Sequence, residues 1–475
     1  MSNKKTYPAM SVAMSILLYA GFSNADAATL TNTTPPAPPA FSQNGQPPAP
    51  PDGQLPPGPP PDGQMPPNGQ PGGPQQQTKS ASELKATKIV DNQTAALDKQ
   101  QLTNNQTDEN VVLARNDAKL SLTDSTLTKT GDSSSADASN FSGQNAIFLA
   151  ADSEATLNNV TLTSDADGAN AVFATGQKSK ITASHLKIHT QNNSSRGLDA
   201  TYGGNITAND VDITTEGQHC AALATDRGEG NVTVDGATLK TSGDGSPCVY
   251  STGNIQLSNA NGEATGSKIA VVEGKNSITL NKVNLTGHKK HGVMLYQSFS
   301  GDASVGNATF TATDSTLNNA SDGPMFFITN TTATANLTRT QLTQSGDTLV
   351  DVTSANWGQS GKNGGNFTLN TQEQQLTGDI KANNISQLHI NLGDQTTWTG
   401  TINNDNQAQA TELTLAKTAQ WTLTNDAHVT TFTDAQSDYS NIQSNGHNIY
   451  YSKAKNPTLN GKTFKLPGGG KLIAE

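Results

Sequence analysis

The sequence predicts an all-β protein built as one long solenoid of stacked parallel strands, and three observations carry that prediction. Short segments that alternate apolar and polar residues recur along most of the 475 residues, with no helical periodicity between them. They recur about every 25 residues, a period at which each unit cannot bury its own apolar face but a stack of units can. Only 32% of the chain is apolar and 15% charged, which is too polar for a helical bundle yet enough for turns that share one narrow core. A sandwich would lack the long period, and propeller blades recur at roughly 40–50 residues. With 40 acidic residues against 29 Lys or Arg the formal charge is −11, and no basic block exists to neutralise phosphates, so nucleic acid is excluded as a partner.

The elements follow in order. Lys4 and Lys5 precede an apolar stretch from Ala9 to Phe22 and then Ala25-Asp26-Ala27, the order of a secretory signal peptide over residues 1–27. The stretch is shorter than the ~20 residues a membrane span needs. Residues 28–80 hold 17 of the 22 prolines, and Pro51-Asp52-Gly53-Gln54 returns as Pro61-Asp62-Gly63-Gln64. A segment with so little to bury and so few amide donors is expected to be a disordered, extended spacer.

From 81 to 365 the turns of about 25 residues take over. Each reads as an alternating strand, a two-residue break and a second strand, as in Ile181–Ile188, Ile206–Ile213, Val232–Leu239 and Ile278–Leu285. The last apolar residue of successive units falls at 127, 162, 188, 213, 239, 262, 285, 317 and 342, with Gly262 marking a degenerate copy. The two longest steps contain insertions, at 132–140 and 298–307. A third strand closes each turn, as in Ala171–Thr175, Gly197–Thr201, Val249–Thr252, Gly292–Tyr296 and Met325–Thr329. Cys220 and Cys248 both stand at its entry one turn apart, and an exported chain with an even cysteine count is expected to bridge them. Residues 366–475 form shorter turns, marked by Leu376, Trp398 and Trp421, and end in a cap over 434–475. Roughly fourteen to sixteen turns follow from the length and the period.

These turns resemble the right-handed parallel β-helix of pectin-lyase-like proteins. The Ile-Thr-x-x-x-Val-x-Ile pattern is most similar to the passenger parts of bacterial autotransporter adhesins, and the Trp398 and Trp421 turns are similar to C-terminal passenger turns of the pertactin type. The resemblance covers about residues 85–475 and implies an adhesin-like passenger. The alternating ~10-residue strands of an outer-membrane barrel do not follow the repeat, so the expectation is a passenger without its own translocator.

The enzymes of this fold are polysaccharide lyases and hydrolases. Galacturonase-like members carry Asn-Thr-Asp, Asp-Asp, Gly-His-Gly and Arg-Ile-Lys elements, and none of these strings occurs. His291-Gly292 is the nearest approach and suits an ordinary turn. The densest polar cluster follows the third strand: Asp226, Arg227 and Glu229, then Glu273, Lys275 and Asn276, then Tyr296, Gln297 and Asp302. Stacking places these on one edge, either as a groove for sugar or as a solvated ladder of charges closing the turns. Trp357 with Asn363, on a Gly-rich loop, could stack on a sugar ring or pack its own loop. The eight His residues show no metal spacing, and no cofactor motif occurs. The expectation is an exported, non-enzymatic, adhesin-like protein whose lateral face meets polysaccharide, surface glycan or outer-membrane and cell-surface components. The alternative is a polysaccharide lyase or glycoside hydrolase working at the Asp226/Arg227/Glu273/Lys275 edge.

Overall fold

The computed structural model describes residues 79–475, so the expected signal peptide and nearly all of the Pro-rich linker lie outside the described residues. Within them the chain winds into a parallel β-solenoid of right-handed type with about 16 turns. Two long sheets run along it. One is made of short strands, twelve of them from Lys85–Asp91 to Asp379–Ala382, each hydrogen-bonded to its counterpart one turn away. The other is made of long strands, and seven consecutive ones, from Lys119–Lys129 to Ser277–Gly287, have eleven residues each.

Each eleven-residue strand is bent in the middle. The bend residue adopts a left-handed conformation in every copy, at Asp124, Asn159, His185, Asp210, Gly236, Asn259 and Lys282. Asn, Asp and Gly tolerate this region best, which is why five of the seven are of these types. The two-residue break of the sequence pattern is this bend. It turns the chain through a corner while keeping apolar residues inward on both sides, as in Asn205–Thr215, where Ile206, Ala208, Val211 and Ile213 are buried and Thr207, Asn209 and Asp212 are exposed.

The register matches the sequence spacing at every step. Leu127 pairs with Leu162, Leu162 with Ile188, Ile188 with Ile213, Ile213 with Leu239, Leu239 with Gly262, Gly262 with Leu285, Leu285 with Leu317 and Leu317 with Leu342. Like residues therefore stack at the ~4.8 Å spacing of paired strands, and one continuous core runs from Val90 to Leu472. Gly262 is not a lapse in the pattern. A Cβ there would lie 2.7 Å from Leu285 Cδ2 and 3.2 Å from both Cys248 Sγ and Leu239 Cβ, so its neighbours fill the space that a side chain would need.

The expected Cys220–Cys248 disulfide is absent, and both thiols are free and buried. The turn between them is 26 residues long, pairing Leu223 with Val249, whereas the cysteines are 28 apart. They are thus two positions out of register. Cys220 stacks instead on Ser246, donating its N–H to Ser246 Oγ at 2.9 Å. Its sulfur accepts the Ser195 N–H at 3.0 Å and faces the Gln218 carbonyl at 3.1 Å, the role that serine hydroxyls play in the turns on either side. Cys248 lies in the apolar core. Burial pushes both thiols up to about 12.

Toward the C-terminus the turns shorten. Trp398 and Trp421 stack at 5.0 Å with their planes 3° apart, and their indole N–H groups donate to the Gly378 and Gly400 carbonyls at 2.9 Å. Gly400 is required there, because a Cβ would lie 2.2 Å from the Gly378 oxygen. The end is closed by an antiparallel pairing of Phe464–Lys465 with Lys471–Ala474, which also pairs in parallel with Ile449–Tyr451. The last strand thus has neighbours on both sides, which leaves only the two-residue strand Phe464–Lys465 as the edge of this sheet at the C-terminal end, and a very short edge is a poor template for association. No helix among the described residues is long and apolar enough to cross a membrane.

Candidate functional site

The outward side of the short-strand sheet carries the polar edge that the sequence singles out. Alternation sends Leu223, Val272 and Leu295 into the core and leaves Asp226, Glu273 and Tyr296 pointing out. The two insertions then fold over this surface. The first forms a helix, Ala136–Ser142, capped by the Ser135 hydroxyl accepting the Ala138 N–H. The second is the loop 297–306, anchored by Gln297, whose side-chain amide donates to the Ala303 carbonyl at 3.1 Å.

Arg227 joins the two. Its Nε and Nη2 donate to Asp302 Oδ1 of the second insertion at 2.9 and 2.6 Å, while its guanidinium carbon sits 3.8 Å from the centre of the Phe141 ring on the helix. Such a stacked, ion-paired arginine is worth more here than in water because it is partly desolvated. Asp137 of the same helix titrates above the usual carboxylate range through burial, with Arg227 partly offsetting the effect.

Asp226 turns to the other side. It is 4% exposed and pairs with Arg196 Nη2 at 2.9 Å, while Arg196 Nη1 donates to the fully buried Asp199 at 3.0 Å. One guanidinium therefore serves two buried carboxyls, and Asp199 Oδ1 has no protein partner. Burial raises both carboxyls, Asp226 the more, and the attraction of Arg196 opposes it.

Glu273 is 1% exposed and is held by hydroxyls. Tyr250 and Tyr296 each donate to Oε2 at 2.8 Å, and Ser298 of the second insertion donates to Oε1. Burial raises its carboxyl, with these three bonds pulling the other way. Asn276, also buried, donates to the Glu273 carbonyl at 2.6 Å. Lys275 is separate: half exposed, it pairs with Glu229 at 3.0 Å.

Of the residues expected on this edge, the structure thus gathers Asp226, Arg227, Glu273, Asn276, Tyr296, Gln297 and Asp302 beneath or within the insertions and leaves Lys275 and Glu229 as a surface pair. It buries most of them, so the edge is neither an open groove nor a solvated ladder. Trp357 packs rather than projects: it lies 4.9 Å from Tyr296 and against Val271, Met294 and Phe327, and Asn363 fixes its loop by donating to the Ala355 and Trp357 carbonyls. His291 stacks flat on Phe327 at 4.1 Å, and burial beside Lys268 and Lys290 lowers it to about 3.

Sequence reasoning missed Arg196, Asp199, Tyr250, Ser298 and Phe141. The signal for Asp199 and Tyr250 was present, since both occupy outward positions of the third strand. Arg196 and Phe141 lie outside the alternation and could not be placed by it.

What the cluster can do follows from its bonding. Asp199, Asp226, Arg227, Glu273 and Asp302 are each engaged by another member of the cluster, while Asp137 and Asp302 stay partly exposed near one another. Among the described residues no three His, Cys, Asp or Glu side chains converge to hold a metal ion. Fold and edge together define a parallel β-solenoid protein whose extra-repeat segments seal one face. No protein-family model matches the chain, and neither does any curated protein or solved structure.

Proposed function

We propose that this chain is an exported, non-enzymatic, adhesin-like β-helix protein of the cell envelope or surface, similar to autotransporter passengers of the pectin-lyase-like fold. It works through its lateral faces, binding polysaccharide, surface glycan or other envelope and cell-surface components by many weak contacts. The observation that supports this is the closure of the polar edge. Asp226 is neutralised by Arg196, Arg227 by Asp302, and Glu273 is saturated by three hydroxyls. Glycoside hydrolysis needs two carboxyl groups ~5–9.5 Å apart with room for sugar and water between them. Long, open faces of short polar side chains suit multivalent binding instead.

A second reading has one observation in its favour. Asp226 and Glu273 carry raised carboxyls, and perturbed acids cluster at catalytic sites. The two readings separate on turnover. The protein lacking residues 1–27 is incubated with acidic and neutral polysaccharides, and new reducing ends and unsaturated uronates are measured. Binding without products is the expected result. Turnover abolished by Asp226→Ala or Lys275→Ala would establish the enzymatic reading.

A further inference from the structure

The long-strand sheet contains a stripe that differs from the rest of the surface. Thr156, Thr182, Thr207 and Thr233 occupy one outward column on four consecutive turns, and Thr279 and Thr311 continue it beyond Gln256. All are exposed or half exposed. Beside it runs an amide ladder. Asn231 donates to Asn205 Oδ1 at 2.9 Å, Asn254 to Asn231 Oδ1 at 3.2 Å, and the Ser277 hydroxyl to Asn254 Oδ1 at 2.9 Å. The same device returns further on, with Asn370 donating to Asn336 at 2.9 Å and Asn391 to Asn370 at 2.8 Å.

Charge is the second distinction. Over the six turns from Asn205–Asn209 to Thr334–Thr338, one outward position among eighteen is charged, Asp235. Past the bend the same strands are ordinary charged surface, with Lys187, Asp212, Lys240 and Glu263. The stripe thus holds aligned hydroxyls and amides at ~4.8 Å intervals, with Asp235 its single charge over these six turns and without a large apolar side chain. Among the described residues the two large exposed apolar side chains, Phe299 and Val305, sit on the insertion over the other sheet.

These properties select a partner by exclusion. Acidic glycans and nucleic acids need Lys or Arg. A protein partner needs a pocket for aromatic or arginine anchors. A lipid surface needs an apolar face. A neutral polysaccharide needs uncharged donors and acceptors in a row, with methyl groups to meet its C–H edges, and threonine supplies both. The amide ladder also fixes side chains in place before binding, which spares the entropy of immobilising them.

We infer that the outward face of the long-strand sheet, centred on Thr207, Thr233 and Thr279, is the docking surface for a neutral, extended polysaccharide. This rests on the non-enzymatic binding reading above and names its face and ligand class. The test is co-sedimentation of the protein lacking residues 1–27 with insoluble cellulose, chitin and β-1,3-glucan, alongside affinity electrophoresis in polygalacturonate and alginate. Two triple variants are compared: Thr207→Asp/Thr233→Asp/Thr279→Asp, and the corresponding Ala variant, which removes hydroxyls without adding charge. A control, Thr214→Asp/Thr286→Asp, lies beyond the bend. The expected result is binding to at least one neutral polymer, weakened tenfold or more by both triple variants and unchanged by the control, with circular dichroism preserved. Binding only to the acidic polymers would overturn the inference while leaving the binding reading intact. So would concentration-dependent self-association that the triple variants abolish, since the stripe's partner would then be a second copy of this chain. Release of soluble sugar products would overturn the non-enzymatic reading itself.

Discussion

Replacing Arg196 by Met tests whether the sealed edge is held by charge. Arg196 is 7% exposed and is the cation beside both Asp199 and Asp226. Removing it leaves two buried carboxyls, of which Asp226 keeps the Arg227 backbone N–H at 2.9 Å. Breaking a buried pair from one side costs about 3–5 kcal/mol, because the remaining charge stays desolvated. The exposed Lys275–Glu229 pair sets the opposite limit, with Lys275→Ala costing about 0–1 kcal/mol. The dependence on pH has a definite sign. Both carboxyls are raised in the folded state, so their protonated forms favour folding. The stability this brings is complete below about 3.9, the unfolded value, and is lost as pH rises through the folded values. The Arg196→Met deficit should therefore be largest at pH 7 and shrink as pH falls toward 4. Urea unfolding would give the global loss. Hydrogen exchange of Leu198–Thr201 and Leu223–Thr225 would report local opening, faster by about two to four powers of ten at pH 7. A deficit below about 1 kcal/mol, or one independent of pH, would refute the assignment of Arg196 as the charge that holds this surface closed.

Other predictions follow from packing. Cys220→Ser should change stability by no more than about 1 kcal/mol, since serines fill the same place in adjacent turns, whereas Cys248→Ser puts a hydroxyl into the apolar core and should cost about 1–3 kcal/mol. Thiol titration without reductant should find two thiols per chain in denaturant and none reacting quickly in the native protein, and a single disulfide would contradict the register. Trp421→Ala should cost about 3–5 kcal/mol in thermal or urea unfolding, and Trp421→Phe distinctly less, because Phe keeps the stacking on Trp398 and loses the bond to Gly400. Gly262→Ala should cost about 1–3 kcal/mol by overpacking, where a truly degenerate position would accept the methyl group at no cost.

The repeat was legible in the sequence because it depends on alternation and spacing, which are local. Each last apolar residue, from Leu127 to Leu342, pairs with the next as the spacing requires. The third strands were legible for the same reason. Cys220 and Cys248 were misplaced because their positions were compared by turn and not by residue count. At the entry to the short strand a difference of two residues separates a serine-like site from the core. The state of the polar edge was not legible at all. Asp226 and Glu273 look exposed by alternation, but Asp226 is paired with Arg196 and Glu273 is held by Ser298, while Phe141 lies on the neighbouring Arg227; Ser298 and Phe141 come from insertions that the period treats as interruptions. Arg227 and Asp302 are 75 residues apart, and no repeat rule links them.

The register underlies the sealed edge, the separated cysteines and the neutral stripe alike, so the most direct test is to cross-link it. Cysteines introduced together at Thr207 and Thr233 face outward on paired strands, within the ~4.4–6.8 Å that a disulfide spans. Cysteines at Thr207 and Gln256 are two turns apart, at about 9.6 Å. Under mild oxidation the first pair should form an intramolecular disulfide, seen as a loss of two thiols in the monomer, and the second pair should not. Equal cross-linking of both pairs, or of neither, would contradict the stacking of turns on which the account rests.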